Sequence, residues 1–558
     1  MTNRTSKQML AVCLLNAFAQ IIKAQPTPVG VDVLTHRYDT WRSGANLSET
    51  VLTTRSVAGQ HFGKVSEREV DGDIYAQPLI KTGVVVPGVG TRNIVYVATV
   101  NNSLYAFDAD VPGASKPLWC AKKDVFGEPV PKQEVVDLPA NQEYLNFDTK
   151  VGIVATPVID PDTSTIYVVA YSKNGNAHQF RLHALNLASG REKTEMHSPM
   201  AIEASYMGNG VGSVEGKIRF DPRKMLNRPA LLLADGILYL AFTSHLDGEP
   251  KFDYHGWIMA YDAMTLKQVA VVNTTPDGIQ GGVWQSGGGL AAEPREGTYP
   301  LIYAVVSNGS VGGRNYSQSL MQLYPGQLMS TKQVFIPNNH EYLNDRDLDL
   351  STAPLLIPDL PLAIACSKDG KCYVVDRSDM RLVQEFTAGM NSYGGERTSN
   401  IHGAPVVWRD SKGILRLYVW GEEDYLRAFQ FNGTRFVGAG KSKVRAPEKS
   451  MPGGMLSLSS NGSIDGSAIL WASVPLKDDA NAGTVEGILR AFDAADVEKE
   501  LWNSGLNEAR DRVGMFAKFC PPVVANGKLY MATFAEPAKA GQTGRPNSLT
   551  IYGLLPGN

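Results

Sequence analysis

The residues of this sequence that could do chemistry are few and far apart. Asp345, Asp347 and Asp349 alternate in Asn344-Asp345-Arg346-Asp347-Leu348-Asp349-Leu350. In an extended segment, period-two geometry sets all three carboxylates on one side, as a cation site or a general-base cluster. The segment lacks the glycine and terminal glutamate of an EF-hand calcium loop. His402, just before Gly403, reads as a general base, a metal ligand or a structural hydrogen-bonding group. His245 and His255 flank one loop without the helical spacing of a zinc site, so they read as substrate-binding or loop-ordering residues. Trp284 and Gln285 sit in Gly281-Gly282-Val283-Trp284-Gln285-Ser286-Gly287-Gly288-Gly289. Bare backbone there admits a flat ligand beneath an indole, or lets chains pack closely around an axis. No strand-to-helix context accompanies these glycines, which excludes a nucleotide site, and no Gly-x-Ser-x-Gly elbow occurs. Cys120, Cys366, Cys372 and Cys520 form no CxxC or CxxCH, which argues against covalent haem and a cysteine zinc site.

A repeat positions these residues. Ile94-Val95-Tyr96-Val97-Ala98-Thr99 returns around Tyr167, Tyr239, Tyr303, Ile364, Tyr418, Trp471 and Tyr530. The spacing is about sixty residues. Each copy is followed by a second strand such as Leu104-Tyr105-Ala106-Phe107-Asp108. A third strand precedes it, often marked by proline, and a fourth lies downstream. Four strands per repeat, eight times, predict an all-β, eight-bladed β-propeller of four-stranded antiparallel blades. The eighth repeat ends before a fourth strand can form. Phe62-Gly63-Lys64-Val65-Ser66-Glu67 is expected to supply that strand from the N-terminus and so close the ring.

Strand order then separates two faces. Long connections, among them 121–154, 196–227, 244–256, 308–319 and 477–487, share one face with the entries to the first strands. Short turns such as Ala234-Asp235-Gly236 and Ala525-Asn526-Gly527 share the other. Binding sites are built from long loops on rigid scaffolds. Arg228, Trp284, Asp349, His402 and Lys518 all stand at first-strand entries and are expected to converge near the axis. Two cations, a carboxylate, an imidazole and an indole buried together suit an anionic or polyhydroxylated ligand.

The remaining chain statistics bound the alternatives. The 558 residues are too many for one ordinary compact core, and 54 glycines with 32 prolines suit a turn-rich β protein. Fifty-three Lys and Arg against 56 Asp and Glu leave no basic surplus for nucleic-acid backbone binding. Arg4 and Lys7 precede the apolar run 9–19, which is too short to span a bilayer. Residues 1–24 therefore read as a signal peptide of a secreted or periplasmic protein. Residues 25–61 are expected to be an extension packing on the propeller, and 62–558 the propeller itself. No transmembrane segment follows.

The units Tyr96-Val97-Ala98-Thr99…Leu104-Tyr105-Ala106-Phe107-Asp108-Ala109 and Gly487-Ile488-Leu489-Arg490-Ala491-Phe492-Asp493-Ala494 resemble the repeats of the quinoprotein alcohol dehydrogenase-like propellers. The resemblance covers roughly 60–555. It implies an oxidoreductase acting on sugar or alcohol hydroxyls with pyrroloquinoline quinone (PQQ) and Ca²⁺. By position, Arg228, Gln285 and Lys518 would meet the cofactor's polar edge, Trp284 would form its floor, and Asp349 or His402 would take the substrate proton. No calcium motif matches residue by residue. No adjacent cysteines are present to form the disulfide ceiling of many family members. The other reading is a propeller without quinone: a carbohydrate-binding or scaffold protein, or a polysaccharide lyase.

Overall fold

The structure, a computed structural model, describes residues 30–113, 115–135, 144, 146–246, 253–324, 329–390, 399–481, 483–537 and 544–556. The segment 1–24, expected to be a signal peptide, lies outside the described residues.

The chain is all-β, and its antiparallel four-stranded sheets follow one another in sequence. The first sheet runs Leu79–Val86, Gly90–Thr99, Ser103–Asp108 and Trp119–Ala121. Like sheets begin at Val158, Ala291, Leu355 and Val406; the one beginning at Leu232 gains Met225–Leu226 as a fifth strand, and the one beginning at Met455 is joined to the last through Gly514–Phe516. At the C-terminal end, Val523–Ala525, Lys528–Phe534 and Ser548–Leu554 pair in order, and Phe62–Glu69 adds a fourth, antiparallel strand against Ser548–Leu554. The arrangement is that of a β-propeller.

The anchor strands read as unbroken apolar runs because both of their faces are covered. Ile94, Tyr96 and Ala98 pack with Ile166, Val168 and Ala170 of the second sheet. Their neighbours Val95 and Val97 lie in another cluster, with Tyr530, Leu549 and Ile551 of the last. Alternate side chains thus face opposite neighbours. Hairpins Leu232–Ser244 and Val523–Phe534 turn through Asp235-Gly236 and Asn526-Gly527, with φ of 50°, 72°, 56° and 73°. Left-handed values at both central residues define the tight turn that Asp-Gly and Asn-Gly favour.

The anchor tyrosines do more than fill space. Tyr96 donates to the Leu187 carbonyl and Tyr167 to the Ala263 carbonyl, each at 3.0 Å. Each acceptor follows the end of the third strand in the next sheet. In a later sheet Gln322 Nε2 makes the equivalent reach to the Arg377 carbonyl at 2.7 Å. Tyr167→Phe should therefore cost about 1–3 kcal/mol, because it strands a buried carbonyl. Urea unfolding measures this, and an unchanged midpoint would remove the latch.

A segment ahead of the sheets binds their first strands in succession. Val33 pairs with Ile80, and the carbonyls of Leu34, Thr40, Trp41, Ser43 and Gly44 accept from the amides of Ile159, Ala292, Leu356, Val407 and Leu458. Asn46 Nδ2 reaches the Val524 carbonyl at 2.9 Å. Two buried guanidiniums complete the set. Arg42 donates to the carbonyls of His36 (2.7 Å), Leu290 (2.7 Å) and Leu231 (3.4 Å). Arg37 donates to those of Pro405 and Leu456. Gly44, at φ 74°, is required here, since a Cβ would sit 2.4 Å from Arg37 Nη2.

Candidate functional site

A cavity of about 180 Å³ opens among the long connections. Its lining comes from Asn146, Arg228, His245, Trp284, Asp347, Asp349, Lys368, His402, Asn481 and Lys518, with Phe519 and a few small or apolar residues between them. The five residues expected to converge, Arg228, Trp284, Asp349, His402 and Lys518, all line this one cavity. His245 joins them.

Arg228 is 4% exposed, and its guanidinium carbon lies 4.4 Å from the Phe519 ring centroid and 5.8 Å from that of Tyr75. Among the described residues it has no hydrogen bond and no ion pair. A guanidinium stays charged in proteins, so this is a buried cation with only aromatic faces for company. Lys518 donates to the Asn481 carbonyl at 3.0 Å. Burial, with Arg228 adding repulsion, pushes its ammonium down to about 7. Two cations therefore face one cavity without a carboxylate in contact with either.

On the opposite charge balance, Lys368 Nζ lies 2.8 Å from Asp347 Oδ1 and 2.7 Å from Asp349 Oδ1. Burial raises the Asp349 carboxyl above its ordinary range, while Lys368 opposes the shift. Lys368 occupies the hairpin turn between Leu362–Cys366 and Lys371–Asp376. Its amide donates to the Asp349 carbonyl at 3.0 Å. Cys366 and Cys372, paired across that hairpin, form a disulfide at the base of the turn. His402 Nε2 lies 2.9 Å from Glu422 Oε1. His245 Nδ1 meets the Tyr144 hydroxyl at 3.1 Å, and burial holds its imidazole down to about 3, hence neutral.

Two candidates fall elsewhere. His255 does not line the cavity: Nδ1 meets the Thr275 carbonyl at 3.0 Å and Nε2 the Val211 carbonyl at 2.8 Å. It ties loops together, so the substrate-binding expectation is corrected to a structural one. Gln285 is also spent on backbone. Its Nε2 donates to the Gly288 carbonyl and its Oε1 accepts from Val305 N, and it is not among the cavity's lining residues. The glycines beside it answer the packing question. A Cβ on Gly288 would lie 2.4 Å from Ala353 Cβ, and one on Gly289 2.6 Å from Arg42 Nη2. Both are close-packing positions, while the Trp284 indole reaches the cavity with its Nε1 buried and unpartnered among the described residues. Asp345 is not among the lining residues, so the three aspartates do not act as one cluster.

Phe519 was not legible as a site residue, since an apolar side chain after Lys518 carries no chemical signal. Its φ of 66°, with 48° at Gln285, 46° at Ser286 and 53° at Asp347, places four left-handed non-glycine residues in or beside the site. Such backbone persists only where the surroundings fix it, and it concentrates at functional sites.

The cavity fits part of what the resemblance implies. A flat polyanion finds two cations that no carboxylate contacts, and an indole. A divalent ion does not find a site: among the described residues no group of three or more His, Cys, Asp or Glu is placed to hold a metal, and Lys368 already stands between two carboxylates. No helix of the described residues is long and apolar enough to cross a membrane.

No family model and no curated protein matches the sequence. Solved structures do match its fold. The quinohemoprotein alcohol dehydrogenase of Pseudomonas putida HK5 superposes with a TM-score of 0.57 at 12% identity, over 94% of this chain and 80% of that one. The quinohemoprotein alcohol dehydrogenase of Comamonas testosteroni gives 0.55 at 12%, with the same coverages. A europium-containing methanol dehydrogenase gives 0.52 at 12%, over 94% of this chain and 98% of that one. The chain thus has the β-propeller fold of the quinoprotein alcohol dehydrogenases.

Proposed function

We propose that this chain is an eight-bladed quinoprotein-like propeller, exported to the periplasm or cell exterior, whose axial cavity binds PQQ and oxidises a sugar or alcohol hydroxyl. The blade count and ring closure rest on the repeated four-strand pairing and on Phe62–Glu69 completing the last sheet. The single observation that carries the cavity's role is Arg228: a buried, unpaired guanidinium is costly unless an anion completes it.

In this reading Arg228 and Lys518 hold carboxylates by charge-assisted hydrogen bonds, and Trp284 supplies a flat wall. Bound there, the quinone would supply the acceptor for the hydride of a C–OH group. Asp349 takes the hydroxyl proton, since its carboxylate lines the cavity and its raised proton affinity suits a base. His402, whose Nε2 lies 2.9 Å from Glu422 Oε1, is a second base in the lining.

Titration with PQQ, followed by quenching of tryptophan fluorescence, tests the reading. Saturable binding supports it, and no binding at any concentration ends it. Affinity should fall as pH rises through about 7, where Lys518 loses its proton. Asp73, raised to about 7 by burial and Asp148, gains negative charge over the same range, so both act in one direction. Lys518→Arg keeps its charge throughout and should flatten most of the pH dependence.

The second reading, a binding propeller without quinone, is favoured by the Lys368–Asp347–Asp349 arrangement, which leaves the metal half of the family site unmatched. A glycan or uronate that binds where PQQ does not would support it.

A further inference from the structure

The network around Asp347 and Asp349 is directional, and its direction can be fixed at both ends. Leu350 N–H, which can only donate, meets Gln318 Oε1 at 3.4 Å. The Gln318 amide is thereby oriented so that Nε2 donates to Asn308 Oδ1 at 2.8 Å. That in turn leaves Asn308 Nδ2 to donate to Asp347 Oδ1 at 2.7 Å, on an atom that can only accept. Asn308 therefore shows the aspartate pair its NH₂ group, and its carbonyl oxygen is already engaged. Hard divalent cations need oxygen lone pairs that converge on one point. Around these carboxylates it is donors that converge: the Asn308 amide and the Lys368 ammonium.

Lys368 is held there by its backbone as well as its charge. Its amide donates to the Asp349 carbonyl, and the Cys366–Cys372 disulfide closes the base of its turn. An ammonium carries three donors; one is given to Asp347 Oδ1, while Asp349 Oδ1 lies 2.7 Å away as an ion-pair partner without hydrogen-bond geometry. Lys368 also lines the cavity.

We infer that Lys368 is the cation of this site, in the place a divalent metal would fill, and that a donor not given to Asp347 binds a ligand oxygen beside Asp349 without any metal. The inference rests on the cavity being the ligand site proposed above. It adds that ligand binding here does not depend on a divalent ion.

Terbium binding by the whole chain tests this separately from PQQ. The wild-type protein should bind no Tb³⁺ at this site, seen as no Tb³⁺ luminescence that Ca²⁺ displaces and Asp349→Asn removes. Lys368→Met, which leaves two carboxylates without their counter-ion, should gain such luminescence. PQQ affinity of the wild type should change less than twofold between EDTA and excess Ca²⁺, while that of Lys368→Met should become at least tenfold dependent on Ca²⁺. Tb³⁺ uptake by the wild type at Asp349, PQQ binding abolished by EDTA, or a folded Lys368→Met that gains no Tb³⁺ would each overturn the inference. If Lys368→Met fails to fold, the wild-type measurements alone decide. If PQQ does not bind under any condition, the function proposed above fails, and the Tb³⁺ result still judges Lys368.

Discussion

A chain beginning at residue 71 should show no cooperative thermal transition. Removal of 30–70 takes away the strand against Ser548–Leu554 and leaves that strand's outer edge bare. It also removes the Phe62 ring, which packs 5.2 Å from Trp471, 5.1 Å from Trp502 and 6.3 Å from Tyr552. Finally it takes Arg37 and Arg42 from the carbonyls of four sheets. The single change Phe62→Ala separates the contributions, with an expected loss of about 3–5 kcal/mol for a fully buried aromatic. Circular dichroism melts measure both. A truncated chain that still melts sharply would show that the sheets hold together without the N-terminal segment.

Lys518→Met should stabilise the ligand-free protein while weakening PQQ binding. The ammonium sits in a buried site beside Arg228, and its proton affinity is lowered to about 7 from the ordinary lysine value of 10.5. Between these values the unfolded chain binds more protons than the folded one. The ligand-free wild type should therefore gain stability as pH rises through that window, and it carries the full penalty below pH 7. Methionine fills similar volume without charge, so the variant should melt higher at pH 6 and lose that pH slope. Its affinity for PQQ at pH 6 should fall by about 1.5–3 kcal/mol, roughly ten- to 150-fold, the worth of a charge-assisted bond. Arg228→Ala should weaken binding similarly. A variant that loses stability and keeps its affinity would mark Lys518 as a strut between sheets.

The all-β repeat was legible because each anchor strand is covered on both sides. A strand such as 94–99 has to be apolar at every position, and that run survives where other positions drift. The convergence of Arg228, Trp284, Asp349, His402 and Lys518 was legible for a related reason: strand order fixes where each first strand begins. What sequence could not carry was the direction of side chains within irregular loops. His255 and Gln285 stand near the right elements, yet one turns to Thr275 and Val211, the other to Gly288 and Val305. Lys368 reaches Asp347 and Asp349 from the tight turn that the disulfide closes, a direction its place in the sequence did not show. The spacing of Cys366 and Cys372 around Lys368-Asp369-Gly370-Lys371 was a signal for that hairpin pairing.

The segment 33–46 also bears on the order in which the molecule can be completed. It leaves the ribosome before any of the sheets it binds, yet Asn46 finds its partner in Val524 only after 478 further residues, and Tyr38 meets the amide of the same residue across 486. Closing contacts over such separations is slow, because chain entropy is surrendered long before the contacts return it. During synthesis this stretch has no native partner until the sheets appear, and only the final sheet satisfies its last contacts. A segment made before every sheet is thus among the last to find its place. Until then, the first-strand amides and carbonyls it covers stay exposed to mispairing, which makes the interval before completion the period when this protein is most open to aggregation.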